Sequence, residues 1–132
     1  MPSFSGTRAL IIEDDRTSIA VLQRLLERLS IKADVLLHSL NIIPQLDTLS
    51  RSDVIFLDLD MPVVNGYAVL RRLQKMSAFE GVPIVAYTTH ISHMNTAKAS
   101  GFHSFLGKPL DSTRFPDQLQ RILDNEPVWE VP

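Results

Sequence analysis

Four places in this 132-residue sequence put chemically competent polar side chains directly after apolar runs. Glu13-Asp14-Asp15 follows Ala9-Leu10-Ile11-Ile12, and Asp58 and Asp60 follow Val54-Ile55-Phe56-Leu57. Thr88 and Thr89 follow Ile84-Val85-Ala86-Tyr87, and Lys108 follows the stretch around Phe105-Leu106. Three or more carboxylates gathered at one edge repel one another unless a cation compensates them. The donors are oxygens and cysteine is absent, which favours a hard divalent ion such as Mg²⁺. Lys108 adds a compact positive charge able to pair with a carboxylate or a phosphoryl oxygen.

Taken singly, each feature has an ordinary reading. An acidic run after a strand is commonly the N-cap and first turn of the next helix. A lone Asp at a strand end is commonly a turn former. The conjunction carries the signal, because acids, hydroxyl and lysine recur in chain order at the ends of successive runs.

Those residues can meet only if the runs are neighbouring parallel strands. Three runs are continuously apolar rather than alternating, as strands buried on both faces are. Ala33 to Leu37 reads as a further, weaker strand, which makes five. Helical spacing fills the intervals: Leu22, Leu25, Leu26 and Leu29; then Tyr67, Leu70, Leu73 and Met76; then Phe115, Leu119, Ile122 and Leu123. Asn41 as an N-cap would put Pro44 at the third helical position, where no intrahelical N–H is lost. Pro116 places the start of the last helix near Thr113. Five strands alternating with five helices predict an α/β doubly wound parallel sheet, a three-layer sandwich with right-handed crossovers. Such sheets place ligands at the carboxyl ends of their strands, where the polar residues lie.

Apolar residues make up 45% and charged residues 21%, an ordinary globular balance that argues against disorder. The net charge of −2 gives no global basic field for nucleic acid or an anionic membrane. The lack of cysteine excludes disulfides and thiolate catalysis. Residues 1–8 lack the apolar run of a signal peptide, and no apolar stretch approaches a membrane span. The expectation is a soluble cytoplasmic single domain over 1–132, with its core from about residue 7 to 124. The tail, 125–132, would be either a docked end or a linker stub.

With these pieces assembled, the chain resembles the receiver domain of two-component response regulators, the chemotaxis-regulator-like group with a flavodoxin-like (βα)5 fold. The matching segments are Leu10-Ile11-Ile12-Glu13-Asp14-Asp15, Asp53 to Pro62, Asn65-Gly66, Pro83 to Thr88 and Phe105-Leu106-Gly107-Lys108-Pro109. The resemblance implies strand order 2-1-3-4-5. It also implies that Asp58 is the phosphoacceptor, receiving phosphoryl from a histidine kinase or phosphotransfer protein. Asp14, Asp58 and the backbone carbonyl of Asp60 would ligate Mg²⁺ or Mn²⁺, with Glu13 acting largely through water. Lys108 would pair with Asp58 and a phosphoryl oxygen. Thr88 is the implied switch hydroxyl and Phe105 the aromatic that turns inward with it. Asp60, Thr89, His90 and Pro109 would flank the pocket, with Asp60 and His90 tuning loss of the phosphoryl group. The Lys108–Pro109 peptide is expected to be cis. Such a domain catalyses its own phosphorylation and dephosphorylation without being a turnover enzyme. It acts as a monomer or weak dimer on a downstream protein, without direct nucleic-acid contact or membrane insertion.

Some features depart from the family pattern. The interval from Thr88 to Gly101 is slightly short, so the fourth helix should be short or irregular, and Thr89 replaces the commoner alanine. Three rival readings remain: a haloacid-dehalogenase-like phosphatase built on Asp58 and Asp60, a docking module that needs no phosphorylation, and a His90–His93 metal site. Against the last, the two histidines read as solvated side chains.

Overall fold

The computed structural model describes residue 4, residues 6–37, 42–60 and 65–130. Six strands alternate with five helices among them: β1 (Arg8–Glu13), α1 (Arg16–Glu27), β2 (Lys32–Leu37), α2 (Ile42–Leu46), β3 (Val54–Asp58), α3 (Gly66–Gln74), β4 (Ile84–Thr88), α4 (Met94–Ser100), β5 (Ser104–Gly107), α5 (Phe115–Leu123) and β6 (Trp129–Glu130). The pairings are all parallel and the order is β2-β1-β3-β4-β5-β6. The expected order 2-1-3-4-5 is present, and a short sixth strand from the tail extends it at the β5 edge.

Every residue of β3, β4 and β5 is buried, as their unbroken apolar runs require. At the edge, β2 is mostly exposed or half-buried. One apolar layer joins Leu10, Ile12, Ile55 and Leu57 to α2, α3 and α4; the other joins Ile11, Phe56 and Val85 to α1 and α5. The sheet is thus covered on both faces.

Helix boundaries follow local chemistry. Asp15 caps α1, its carboxylate accepting from the Ser18 N–H at 3.1 Å and the Ser18 hydroxyl at 2.7 Å. Leu22, Leu25 and Leu26 turn inward. Asn65 caps α3 through its Oδ1 and the Tyr67 N–H, 2.9 Å apart. A 3-10 turn at Ile91–His93 precedes α4, which is short as its interval implied, and Gly101 ends it at φ +100°.

Two helix starts need comment. Pro44 is the third residue of α2 as described, whereas its expected cap Asn41 lies outside the described residues, as do Met61 and Pro62. The last helix starts at Phe115 rather than Thr113. Asp111 Oδ1 accepts from the Thr113 N–H at 2.8 Å and the Arg114 N–H at 3.3 Å, so a side-chain-bonded turn occupies the residues before it.

Candidate functional site

β1, β3 and β4 each run one residue past their apolar runs, and the extra residues are Glu13, Asp58 and Thr88. All three are fully buried. The pairing of β1 with β3, and of β3 with β4, brings them to one edge together with Lys108, which follows β5.

Lys108 organises the group. Its ammonium lies 2.9 Å from Glu13 Oε2, 3.1 Å from Asp58 Oδ1 and 3.7 Å from Asp60 Oδ2, and its side chain is only 9% exposed. The Tyr87 ring lies beneath it at 4.4 Å from the centroid, a support that sequence reasoning missed because Tyr87 ends an apolar run. Burial works to lower the Lys108 pKa, but the hydrogen bond to Glu13 and the charges of Asp58 and Glu13 outweigh it, and the pKa rises. Lys108 is therefore a permanent cation here. The Lys108–Pro109 peptide is cis, and Pro109 is exposed.

Glu13 accepts from the Asp14 N–H at 3.2 Å and the Asp15 N–H at 3.1 Å through Oε1. Burial pushes its carboxyl up to about 7, and the neighbouring Asp58 carboxylate adds to this against the pull of Lys108.

Asp58 has one oxygen engaged and one without a partner. Oδ1 accepts from the Asp60 N–H at 2.9 Å and from Lys108. Oδ2 is buried and has no hydrogen-bond partner. A lone buried carboxylate oxygen is costly unless something else completes it. Glu13, Asp14 and Asp58 can each direct an oxygen so that the three lie within 4.8 Å of one another. Oxygen donors, crowded negative charge and the lone Oδ2 all fit a hard divalent cation.

Asp60 sits on the rim and faces the loop after β4. The Thr88 hydroxyl donates to its Oδ1. The Thr89 N–H and hydroxyl donate to Oδ2 at 2.8 and 3.2 Å, and His90 Nδ1 lies 2.7 Å from Oδ1. Burial alone would raise the Asp60 pKa, but these bonds outweigh it and hold the carboxyl down at about 2. His90 is thus engaged with Asp60 rather than merely solvated, with the His93 ring 5.6 Å from its own. Among the described residues the group of metal-ligating side chains is the acidic one, and the histidines are not in it.

Phe105 is fully buried on β5 opposite Ala86 of β4. Gly66, at the start of α3, also bears on the site. A Cβ there would lie 2.8 Å from Leu59 Cδ2 and 3.2 Å from the Asp58 carbonyl oxygen, so a side chain at this close approach of α3 to β3 would displace Leu59 and press on the backbone.

The sequence of the chain matches the family described as the response regulator receiver domain over residues 9–120. The chain belongs to that family. Among its relatives is the peroxide stress-activated histidine kinase mak1 of Schizosaccharomyces pombe, 33% identical over an alignment of 113 residues that covers 80% of this chain and 7% of that protein. The two-component response regulator 24 of Arabidopsis thaliana is 26% identical, over 89% of this chain and 85% of its own length. The solved receiver domain of a Pseudomonas aeruginosa sensor histidine kinase, which has a magnesium ion in its active-site cleft, superposes with a TM-score of 0.78. It is 23% identical, covering 91% of this chain and 99% of that one. Receiver domains therefore occur both inside large kinases and in short regulators related to this chain. The receiver fold expected from the strand order is present. Among the described residues, no helix is long and apolar enough to cross a membrane.

Proposed function

We propose that this receiver domain takes a phosphoryl group onto Asp58 in a reaction that depends on a divalent cation. The observation that carries the reading is the Asp58 carboxylate itself: Lys108 and the Asp60 N–H secure Oδ1, while Oδ2 is buried without a partner beside Glu13 and Asp14. Asp14, Asp58 and the backbone carbonyl of Asp60 would hold Mg²⁺ or Mn²⁺, with Glu13 close by. The magnesium ion in the related Pseudomonas aeruginosa domain supports this. The cation supplies neutralisation of negative charge on the transferring group.

The chain's own residues do the rest. An Asp58 carboxylate oxygen attacks phosphorus and forms the P–O bond of an aspartyl phosphate. The P–N bond to the donor imidazole breaks, and the imidazole leaves as the neutral base after taking up a proton. Lys108 stabilises charge on the phosphoryl oxygens. Thr88, released from Asp60, is the hydroxyl within the site that answers to the new group, and Phe105 on the next strand carries the change outward.

The donor is a histidine kinase or phosphotransfer protein and the recipient of the signal a downstream protein. We place the domain in the cytoplasm, where such donors act. Radiolabel transferred from a phosphohistidine donor should be removed by hydroxylamine, as an acyl phosphate requires. Label resistant to hydroxylamine would exclude Asp58 as its site.

A further inference from the structure

The tail contributes more than an end to the chain. After α5, Asn125 takes φ 65° and the Glu126 N–H returns to the Arg121 carbonyl at 2.8 Å, which reverses the backbone. Val128 is then buried, 1% exposed, in the layer beneath α1 and α5. Its N–H donates to Ser104 Oγ at 2.9 Å, and its carbonyl accepts from the Phe105 N–H at 2.7 Å. Trp129 packs on the other layer with the Lys98 ammonium 5.3 Å from its ring centroid. Residues 129–130 thus pair with Phe105 and Leu106 and close the β5 edge.

The closure ends in a built anion site. The Glu130 carboxylate accepts from the Arg114 guanidinium, from Gln118 Nε2 at 2.9 Å and from Arg121 Nη2 at 2.8 Å. All three donors belong to α5 or the residue before it. One carboxylate therefore fastens the strand to the helix beside it. The strand itself is two residues long and has few ladder bonds of its own, so this carboxylate shares the fastening with the buried Val128 and the packed Trp129.

We propose that residues 128–130 are a latch on the β5 edge, opening as a unit with Glu130 as its catch. The edge beneath is a docking site for an extended partner segment of the same chemistry, an apolar residue, an aromatic and an acid. Such a segment would add a strand to β5 and place its carboxylate among Arg114, Gln118 and Arg121, so main-chain pairing gives affinity and the acid gives register. An exposed strand edge invites pairing, and an internal strand that occupies it suppresses unspecific partners. The latch is a property of the unmodified chain and stands or falls separately from phosphoryl transfer.

Hydrogen exchange on the unmodified 132-residue chain tests it. The Phe105 amide bonds to the tail, whereas the Lys108 amide bonds to the Thr88 carbonyl at 2.8 Å inside the sheet. Glu130→Ala should speed exchange at Phe105 by about tenfold, the worth of a lost charge-assisted hydrogen bond, and leave Lys108 unchanged. Glu130→Gln should fall between that variant and the wild type. The fluorescence of Trp129, the sole tryptophan, should shift to the red in Glu130→Ala. Unchanged Phe105 exchange in Glu130→Ala, or equal acceleration at Phe105 and Lys108, would overturn the latch. A synthetic peptide spanning residues 125–130, at millimolar concentration, should slow Phe105 exchange again in Glu130→Ala. Failure to do so, or the same effect from a peptide carrying Glu130→Ala, would overturn the docking assignment.

Discussion

The hydroxyl of Thr88 donates to the carboxylate of Asp60, not to that of Asp58, which ends the neighbouring strand β3. Thr88 is fully buried and also accepts from the His90 N–H at 3.0 Å. In the unmodified chain, Asp60 thus holds the hydroxyl that a phosphoryl group on Asp58 would need. Replacing Asp60 by Asn removes the charge that makes this hold strong. We expect aspartyl phosphate in Asp60→Asn to outlive that of the wild type by about threefold or more, corresponding to roughly half or more of one hydrogen bond's net worth. Loss of label from purified phosphoprotein measures it, and an unchanged lifetime would mean that Asp60 does not compete.

His90 reaches the same carboxylate, with Nδ1 2.7 Å from Oδ1. Groups in one hydrogen-bond network do not act independently. His90→Ala and Asp60→Asn should therefore have non-additive effects on the logarithm of the dephosphorylation rate. A double-mutant cycle reads the coupling directly, and additive effects would leave the two as unconnected rim groups.

Much of this arrangement was legible in the sequence, for identifiable reasons. Runs such as Val54–Leu57 and Ile84–Tyr87 are short and continuously apolar, so both their type and their burial could be read. Glu13, Asp58 and Thr88 stood out because a core would not choose them. The sixth strand was not legible as a strand. Trp129 and Glu130 are too short for any period, and their pairing depends on Ser104 and on donors along α5. Tyr87 and Gly66 were missed as supports of the site for a related reason. A tyrosine ending an apolar run looks like core, and only the approach of α3 to the Asp58 carbonyl gives the glycine its purpose.

Gly66→Ala should disturb the site through the backbone. Its methyl group would press on Leu59 and on the Asp58 carbonyl oxygen. The strain should cost about 1–3 kcal/mol of stability, the usual range for an inserted methyl in a tight place. Urea denaturation measures the loss, and labelling of the folded fraction should fall below that of the wild type.

Acid should weaken the fold partly through the tail. The Gln118 and Arg121 hydrogen bonds hold Glu130 at about 2, below its ordinary 4.5, and Asp60 is likewise held at about 2. A carboxyl depressed on folding stabilises the fold above its unfolded pKa and loses that contribution as pH falls through the folded value. The urea midpoint should therefore drop between about pH 4.5 and about pH 2. In Glu130→Gln the drop should be smaller, and an identical profile would show that Glu130 adds nothing to stability.

A divalent cation that binds the folded chain alone must stabilise it. At ten times its dissociation constant Mg²⁺ should add about 1.4 kcal/mol, which is a rise of about 5 °C in Tm for a chain of this size. Asp14→Asn should abolish most of that rise. Calorimetry with and without the ion decides it, and an equal rise in the variant would remove Asp14 from the ligand set.

If Asp58 is the acceptor, the acidic cluster must hold a cation for it to act. Intact-mass measurement after incubation with acetyl phosphate and Mg²⁺ addresses both parts at once. A single added phosphoryl group is expected on the wild type, none on Asp58→Ala, and none on the wild type in excess chelator. Equal labelling of Asp58→Ala, or of the wild type without divalent cation, would contradict it.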